Sequence, residues 1–330
     1  MTTHRAVVCR RLGVAGGVYD GLAIEDVPRA PLTPGTMRIR VEAAGLNFPD
    51  VLMVQGLYQF KPPLPFVPGM EAAGHVSEVS ANSRFAVGDA VFVMPRTGAF
   101  AEEIVVAESL VHPLPKGMNM QQGAAFGVAS LTAFHALTTR ANVQPGDTVL
   151  VLGAAGGVGA ATVQFAKALG ATLIAAASTQ AKLDFAATLG ANHLIDYTTQ
   201  TLEKEVARMS GERGADIIID PVGWKPESLC RAVAFGGKIL IAGFAGGTLP
   251  TYPANRLLLK GASLVGVRAG EAGRNDPAMR TREWQHLFAL AEKTALRPPI
   301  SQVYPLSEFK QALHDLAARK AMGRVVLTCT

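Results

Sequence analysis

Four glycines, Gly153, Gly156, Gly157 and Gly159, form the segment of the sequence with the clearest chemical meaning. They follow an apolar run at 149–152 that is typical of a buried parallel strand, and a helical pattern begins at Gly159. A pyrophosphate needs a close backbone approach and unpaired N–H groups at a helix start, and a strand, turn and helix in this order supply both. The segment predicts a dinucleotide site; the alternative is a tight structural turn.

The end of the next expected strand, at 172–177, indicates which dinucleotide binds. A site for NAD usually carries an Asp or Glu about 20 residues beyond the glycines, where the carboxylate binds the ribose hydroxyls. Here the strand is followed by Ser178, and the first charged residue after it is Lys182. A hydroxyl followed by a lysine favours the 2′-phosphate of NADPH. The alternative is that Lys182 is simply exposed in the first turn of its helix.

The cysteines and charges exclude other classes of protein. Cys9, Cys230 and Cys329 are few and far apart, so neither a disulfide framework nor a cysteine metal site is expected. A reducing compartment, the cytoplasm, is the expectation, because charged residues at 4–11 interrupt any secretory signal. No apolar run is long enough to span a membrane. The net charge of +5 is spread along the chain, so no nucleic-acid partner is expected.

The chain must supply elements that hold these residues, and its length of 330 residues suggests two domains. The first third reads as short strands punctuated by Gly and Pro, which is typical of a small antiparallel barrel. From about residue 120 helices alternate with strands, which predicts a doubly wound parallel sheet. Helices are expected at 121–139, 159–169, 182–189 and 307–318, and strands at 148–152, 172–177, 193–196, 215–220, 237–242, 262–267 and 324–328.

Four stretches together resemble the zinc-independent quinone oxidoreductase branch of the medium-chain dehydrogenase/reductase family, which includes zeta-crystallin. They are residues 45–50 (GLNFPD), 65–74 (PFVPGMEAAG), 153–159 (GAAGGVG) and 189–197 (LGANHLIDY). The resemblance implies an α/β chain with a GroES-like β-barrel catalytic domain at 1–126 and 267–330. It also implies a Rossmann domain with a doubly wound parallel sheet at 127–266, and a homodimer formed through the nucleotide-binding domains.

The same resemblance allows a test for zinc. Zinc alcohol dehydrogenases, which look similar overall, place a Cys at the position matching Asn47, a His at that matching Met70 and a second Cys near Val128. None of these ligands is present, and Glu71 alone does not make a metal site. The expectation is therefore that the chain holds no metal.

Site residues follow from the resemblance, residue by residue. Asn47 is expected beside the nicotinamide, donating a hydrogen bond to cofactor or acceptor; the alternative is an Asn in a turn. Tyr58 matches an acceptor-pocket tyrosine, whereas Leu52 departs from a tyrosine that relatives can carry. The expected cofactor-binding residues are Asn47, Thr132, His135, Ala155, Gly156, Gly157, Val158, Ser178, Lys182, Tyr197, Gly243, Phe244, Val267 and Arg319. His135 is alternatively a packed helix residue.

The function implied is hydride transfer from NADPH to a quinone or similar electrophilic acceptor without metal. Two alternatives remain at this stage: an NADPH-dependent enoyl-CoA or enone reductase, and a non-catalytic NADPH-binding protein of the crystallin or RNA-binding kind. Residues 268–277 carry Arg268 and Arg274 and are interpreted as a solvated loop. The sharper alternative for this loop is a clamp for a phosphate-bearing acceptor.

Overall fold

The computed structural model describes residues 2–13 and 19–329 and divides into two compact units. Unit 1 comprises Met1–Val128 and Arg297–Thr330, and unit 2 comprises Ala129–Leu296. One helix, α2 (Met120–Phe134), runs from the first unit into the second and continues as a π-helical segment, His135–Ala141. Among the described residues, no helix is long and apolar enough to cross a membrane.

Unit 1 is built mainly from antiparallel strands. Its strands are β1 (Thr3–Cys9), β2 (Leu22–Pro28), β3 (Thr36–Gly45), β4 (Ala72–Val79), β5 (Ala90–Val93), β6 (Glu103–Ala107), β7 (Val111–Pro113), β14 (Ile300–Pro305) and β15 (Arg324–Thr328). Helices α1 (Phe48–Val54) and α10 (Phe309–Ala317) complete the unit. Its core includes Met37, Ile39, Phe100, Val325 and Leu327.

The sheet of unit 1 follows the order β14-β15-β3-β4-β5-β7, with β6 also paired to β3. Strands β1 and β2 form a separate antiparallel pair. Within the described part of the chain, no pairing joins β14 to β7, so the expected barrel is an open path of strands. The GroES-like fold class is nevertheless confirmed, and the C-terminal β15 pairs with β3 in the middle of this sheet.

Unit 2 is a six-stranded parallel sheet in the order β10-β9-β8-β11-β12-β13. Its strands are β8 (Thr148–Leu152), β9 (Thr172–Ala177), β10 (His193–Asp196), β11 (Ala215–Asp220), β12 (Val233–Ile241) and β13 (Ser263–Gly266). Its helices are α3 (Gly157–Ala168), α4 (Gln180–Thr188), α5 (Leu202–Met209), α6 (Pro226–Ala232), α7 (Ala254–Lys260), α8 (Ala269–Asn275) and α9 (Pro277–Lys293). All five residues of β8 are buried, as expected for a central parallel strand.

The chain returns to unit 1 at Arg297, whereas the sequence suggested a return near residue 267. The thirty or so intervening residues form α8 and α9. Glu283 of α9 accepts hydrogen bonds from His135 and Thr139, both in unit 2. These contacts join α9 to the π-helical segment of unit 2.

Candidate active site

A buried polar cluster in unit 1 surrounds Asn47, the residue that immediately precedes α1. Asn47, Glu71 and Arg324 are 3%, 0% and 6% exposed. The Nδ2 of Asn47 donates to Oε1 of Glu71 at 2.8 Å, and the guanidinium of Arg324 donates to Oδ1 of Asn47 at 3.0 Å. Arg324 also pairs with Glu71. The second oxygen of Glu71 accepts the backbone N–H of Val128 at 2.8 Å.

Asp50 is a second fully buried carboxyl group beside this cluster. Its Oδ2 accepts the backbone N–H of Asn47 at 2.8 Å, which fixes the start of α1. Burial raises the pKa of Asp50 to about 7, more than the N–H donors can offset. Burial also raises the pKa of Glu71, against the lowering effect of Arg324. The cluster therefore holds one carboxyl group that is paired with an arginine, Glu71, and one whose pKa lies near neutral pH, Asp50.

The amide of Asn47 is engaged inside the protein. Its oxygen accepts from Arg324, and its nitrogen donates to Glu71 and, at 3.5 Å, to the carbonyl of Gly45. The role expected for Asn47 beside a cofactor stays a prediction. The sequence did not reveal Arg324 as a member of the cluster, because it lies 277 residues from Asn47. The one available signal was an arginine at the start of an otherwise apolar strand.

Two further residues singled out from the sequence also lie in unit 1. Tyr58 is partly buried against the core of that unit. Arg319 follows α10 with a positive φ of 58°, and the residue is exposed. Their predicted roles, at the acceptor and at the 2′-phosphate, remain predictions.

The glycine-rich turn joins β8 to α3 in unit 2 as the sequence predicted. Gly153 has φ +56°, a conformation that favours glycine. A Cβ on Gly159 would lie 2.2 Å from the carbonyl oxygen of Gly153, so only glycine permits this approach of helix to strand. Gly156 is exposed at the N-cap of α3, with Gly157 and Val158 in the first helical turn. The N–H groups of such a first turn have no partners within the helix, which is the arrangement that binds anions.

The turn after β9 presents the residues on which the choice of dinucleotide depends. Ser178 follows the strand directly, and Thr179 caps α4 by accepting the N–H of Lys182 at 3.4 Å. Lys182 is half-buried in the first turn of α4. A cation there opposes the helix dipole by about 0.3–1 kcal/mol, so a nearby anion would improve its environment.

Other predicted cofactor residues lie along the same edge of the sheet, at the carboxyl ends of its strands. Tyr197 follows β10, and its ring packs against that of Trp224, with centroids 4.3 Å apart. Gly243 and Phe244 follow β12, where Phe244 is 39% exposed. Val267 follows β13, and its N–H donates to the carbonyl of Ile241 at 2.9 Å. The carboxyl ends of parallel strands are where such sheets bind ligands.

His135 lies in the interior of unit 2. It is 2% exposed, and its Nδ1 lies 2.6 Å from Oε1 of Glu283. Thr139 donates to the same carboxylate oxygen. Although burial raises the pKa of Glu283, these hydrogen bonds outweigh it, and the pKa is lowered. His135 is therefore packed in the interior of unit 2, and Thr132 lies one helical turn earlier in α2. The contacts predicted for both residues with the cofactor stay predictions.

The expectation of a solvated loop at 268–277 is wrong. Residues Ala269–Asn275 form helix α8, and Pro277 begins α9. Arg274 pairs with Glu271 at 2.7 Å, and Arg268 lies 3.6 Å from the same carboxylate. Both arginines therefore lie close to one carboxylate, that of Glu271.

Two family models match the chain. Residues 33–116 match the alcohol dehydrogenase GroES-like domain, and residues 157–292 match the zinc-binding dehydrogenase model. Quinone oxidoreductase-like protein 2 of Bos taurus is 35% identical over 329 residues, covering 98% of this chain and 92% of the relative. The chain belongs to the medium-chain dehydrogenase/reductase family. It is thus an oxidoreductase by family, and the predicted family is confirmed.

Solved structures of family members agree with this fold. A probable oxidoreductase from Mycobacterium abscessus superposes with a TM-score of 0.89 at 35% identity, covering 99% of both chains. The quinone oxidoreductase of Thermus thermophilus, solved also in complex with NADPH, gives a TM-score of 0.84 at 30% identity, covering 98% of this chain and 99% of the other. Both the GroES-like unit and the Rossmann sheet are shared.

The zinc implied by one family model does not fit the residues present. The matching positions hold the amide of Asn47, the thioether of Met70 and the side chain of Val128, which make a poor donor set for zinc. Glu71 is already held by Arg324. Among residues 2–13 and 19–329, no group of three or more His, Cys, Asp or Glu side chains is arranged to hold a metal.

Proposed function

We propose that the chain is a reductase that delivers hydride from NADPH to a quinone or a similar electrophilic acceptor without a metal ion. The observation that carries the choice of cofactor is the end of β9. Ser178 and Lys182 lie there, and no acidic residue occupies the turn between β9 and Lys182. A carboxylate at this point would repel a 2′-phosphate, whereas a hydroxyl and an ammonium group bind it.

The backbone of unit 2 supplies the second part of the site. Ala155, Gly156, Gly157 and Val158 lie at the start of α3, where N–H groups and the helix dipole favour a pyrophosphate. Because Gly156 has no side chain and is exposed, a phosphate can approach the backbone closely. The relative from Thermus thermophilus that is solved with NADPH supports this assignment.

The nicotinamide supplies a hydride when it is bound. The protein binds the cofactor and the acceptor, orients them and excludes water. It offers no Lewis acid at the positions that hold zinc in related dehydrogenases. The acceptor must therefore accept hydride without metal assistance, as a quinone does. Quinone reduction leaves oxyanions that water can protonate, so the reaction does not require a dedicated acid.

The test is a panel of acceptors with the purified chain. NADPH oxidation is followed spectroscopically with ortho- and para-quinones, enones and enoyl-CoA thioesters, and with NADH in place of NADPH. We expect turnover with one or more quinones and a clear preference for NADPH. Turnover of enoyl-CoA thioesters alone would assign a different acceptor. Tight NADPH binding without turnover on any acceptor would contradict the enzymatic proposal.

A further inference from the structure

Two segments of unit 1 run side by side next to the buried cluster around Asn47. One comprises residues 57–69, which follow α1, and the other comprises residues 94–100, which follow β5. Backbone hydrogen bonds of 2.7, 3.2 and 2.9 Å join them, from the N–H groups of 98–100 to carbonyls within 67–69. We call these two stretches the rim segments. Because they are hydrogen-bonded to each other, side chains on one can be held against side chains on the other.

The rim segments border the carboxylate of Glu71. Met94 begins the second segment, and a Cβ added to Gly127 would lie 2.7 Å from its Sδ and 3.1 Å from Oε2 of Glu71. The thioether and the carboxylate therefore lie on the same side of Gly127. The first segment ends two residues before Glu71, whose Oε1 accepts a hydrogen bond from Asn47. Both segments thus reach the residue that is expected beside the nicotinamide.

Arg96 and Phe60 meet across the rim segments. The guanidinium carbon of Arg96 lies 3.8 Å from the centre of the Phe60 ring, well inside the cation–π range of about 6 Å. Arg96 is exposed, whereas Phe60 is half-buried. Two residues of chain span at most about 7 Å, so the backbone of Arg96 lies close to that of Met94. The ring therefore holds an exposed guanidinium near the proposed site.

The N–H groups of Arg96 are not used by the protein. Among residues 2–13 and 19–329, no carboxylate pairs with Arg96 and no acceptor takes a hydrogen bond from its guanidinium. Arg84, which also lies over a phenylalanine ring, differs because it pairs with Glu108 at 3.2 Å. Stacking occupies the face of a guanidinium and leaves its planar edge for the oxygens of a carboxylate, sulfonate or phosphate.

We propose that Arg96 is a specificity-determining residue that binds an anionic group, a carboxylate, sulfonate or phosphate, on the electron acceptor. This inference rests on the proposed reductase function and names the class of acceptor. Phe60 is a positioning residue, since a guanidinium that is already stacked loses less conformational freedom on binding. Exposed Lys61 adds positive charge beside it. The alternative is that the cation–π pair only ties the rim segments together.

Arg96→Gln tests the role of the charge with a side chain that remains polar. At saturating NADPH, 1,4-naphthoquinone and its 2-sulfonate are the neutral and anionic acceptors, and the variant-to-parent ratio of kcat/KM cancels their different reactivity. We expect this ratio to fall about tenfold for the sulfonate, through KM, and less than about threefold for the neutral quinone. Arg84→Gln is the matched control and should leave both ratios near one.

The source of the anionic group is separated with thioesters. Crotonyl-CoA carries phosphates, whereas crotonyl-pantetheine carries none. A loss in Arg96→Gln that appears with crotonyl-CoA, and with neither crotonyl-pantetheine nor the quinone sulfonate, would assign the anionic group to a phosphate. A loss with the quinone sulfonate alone would assign it to a substituent of the quinone ring.

Ionic strength and binding give readouts that a purely structural role would not change. Raising the salt concentration should lower kcat/KM for the sulfonate relative to the neutral quinone in the parent protein, and much less in Arg96→Gln. Anthraquinone-2-sulfonate, titrated calorimetrically without NADPH, makes the test independent of turnover. Its dissociation constant should rise about tenfold in Arg96→Gln and less in Arg96→Lys, which keeps the charge.

The outcomes separate this inference from the proposed function. Equal losses for neutral and anionic acceptors, or unchanged kinetics and binding in Arg96→Gln, would overturn the anion site while leaving the reductase function intact. Binding of the anthraquinone sulfonate that depends on Arg96, in a protein that reduces no acceptor, would keep the anion site and contradict the reductase function. A parent protein that neither binds the sulfonate nor reduces any acceptor would contradict both.

Discussion

Arg324 and Glu71 form a buried ion pair, and its contribution to the stability of the fold depends on the other hydrogen bonds that the two side chains make. Both side chains are buried. Asn47 donates to the same oxygen of Glu71, Oε1, that pairs with Arg324, and the N–H of Val128 donates to Oε2. Removing two charges from water costs several kcal/mol per ion, which is offset only when the geometry is complete. Loss of one partner leaves the other charge buried and alone. The pair should therefore behave as a unit in substitution experiments.

We predict that Arg324→Met destabilises the protein by about 3–5 kcal/mol, because it leaves Glu71 as an uncompensated buried carboxylate. The double variant Arg324→Met with Glu71→Gln should recover much of that loss, since the new amide would be neutral and its oxygen could still accept the N–H of Val128. Urea unfolding of both single variants and the double variant gives the coupling free energy. Additive losses would show that the pair is not coupled.

Asp50 should make stability depend on pH near neutrality. Its pKa is raised from 3.8 to about 7 in the folded protein, so the folded state binds more protons than the unfolded state between these values. The contribution of Asp50 to stability therefore falls as pH rises through this window, by about 1.4 kcal/mol per unit at most. Asp50→Asn should remove this slope, as measured by unfolding at pH values of about 5 and about 8. An unchanged pH profile would contradict the assignment.

In the turn between β8 and α3, two glycines are needed for different reasons. At Gly159 the demand is packing, because an added Cβ would meet the carbonyl oxygen of Gly153 at 2.2 Å. At Gly156 the nearest atom to an added Cβ is the same oxygen at 3.4 Å, an ordinary contact. The fold therefore leaves room for a Cβ at Gly156, and the proposed pyrophosphate would be what requires glycine there.

These two glycines make a matched pair of variants. We predict that Gly159→Ala destabilises the protein by about 1–3 kcal/mol through overpacking. Gly156→Ala should cost less than about 1 kcal/mol in stability but weaken NADPH binding about tenfold or more, because its methyl group occupies the phosphate approach. Thermal unfolding and calorimetric titration measure the two effects. Unaltered NADPH affinity in Gly156→Ala would argue against a pyrophosphate at this helix.

Elements with strong local signals were predictable from the sequence. The bounds of β8, β9, β10, β11 and β15 agree with expectation, because each is an apolar run closed by glycine or polar residues. Helix α8 was not predicted, since its seven residues are too short for a clear helical pattern and include two glycines, which disfavour helices. The Asn47–Arg324 contact could not be predicted either, since only the pairing of β15 with β3 brings residues so distant in sequence together.

At the scale of the whole molecule, unit 2 exposes apolar side chains at one edge of its sheet. Strand β13 ends the strand order, and Leu264 on it is 42% exposed. Leu258 and Leu259 on neighbouring α7 are 80% and 72% exposed. An edge strand with unpaired backbone groups and exposed leucines beside it can pair with a strand of another chain. A second copy presents the same edge through a two-fold axis. We propose that two copies pair through this edge.

The expected result is a dimer of the 34.6 kDa chain in light scattering after size-exclusion chromatography. The double variant Leu258→Glu with Leu259→Glu should raise the dimer dissociation constant about tenfold or more, because it buries charge at the interface. Val87→Glu, at a residue 64% exposed in unit 1, is the matched control and should leave the dimer unchanged. A monomeric parent protein would contradict the proposed pairing.

The most direct test of the proposed function is the ratio of kcat/KM for NADPH to kcat/KM for NADH, measured with a quinone that the protein reduces. We predict that this ratio is about ten or more in the parent protein and falls toward one in Lys182→Ala. Lys204→Ala removes an equal charge from an exposed site on α5 and should leave the ratio unchanged. Equal use of both cofactors by the parent protein, or a preference for NADH, would contradict the account.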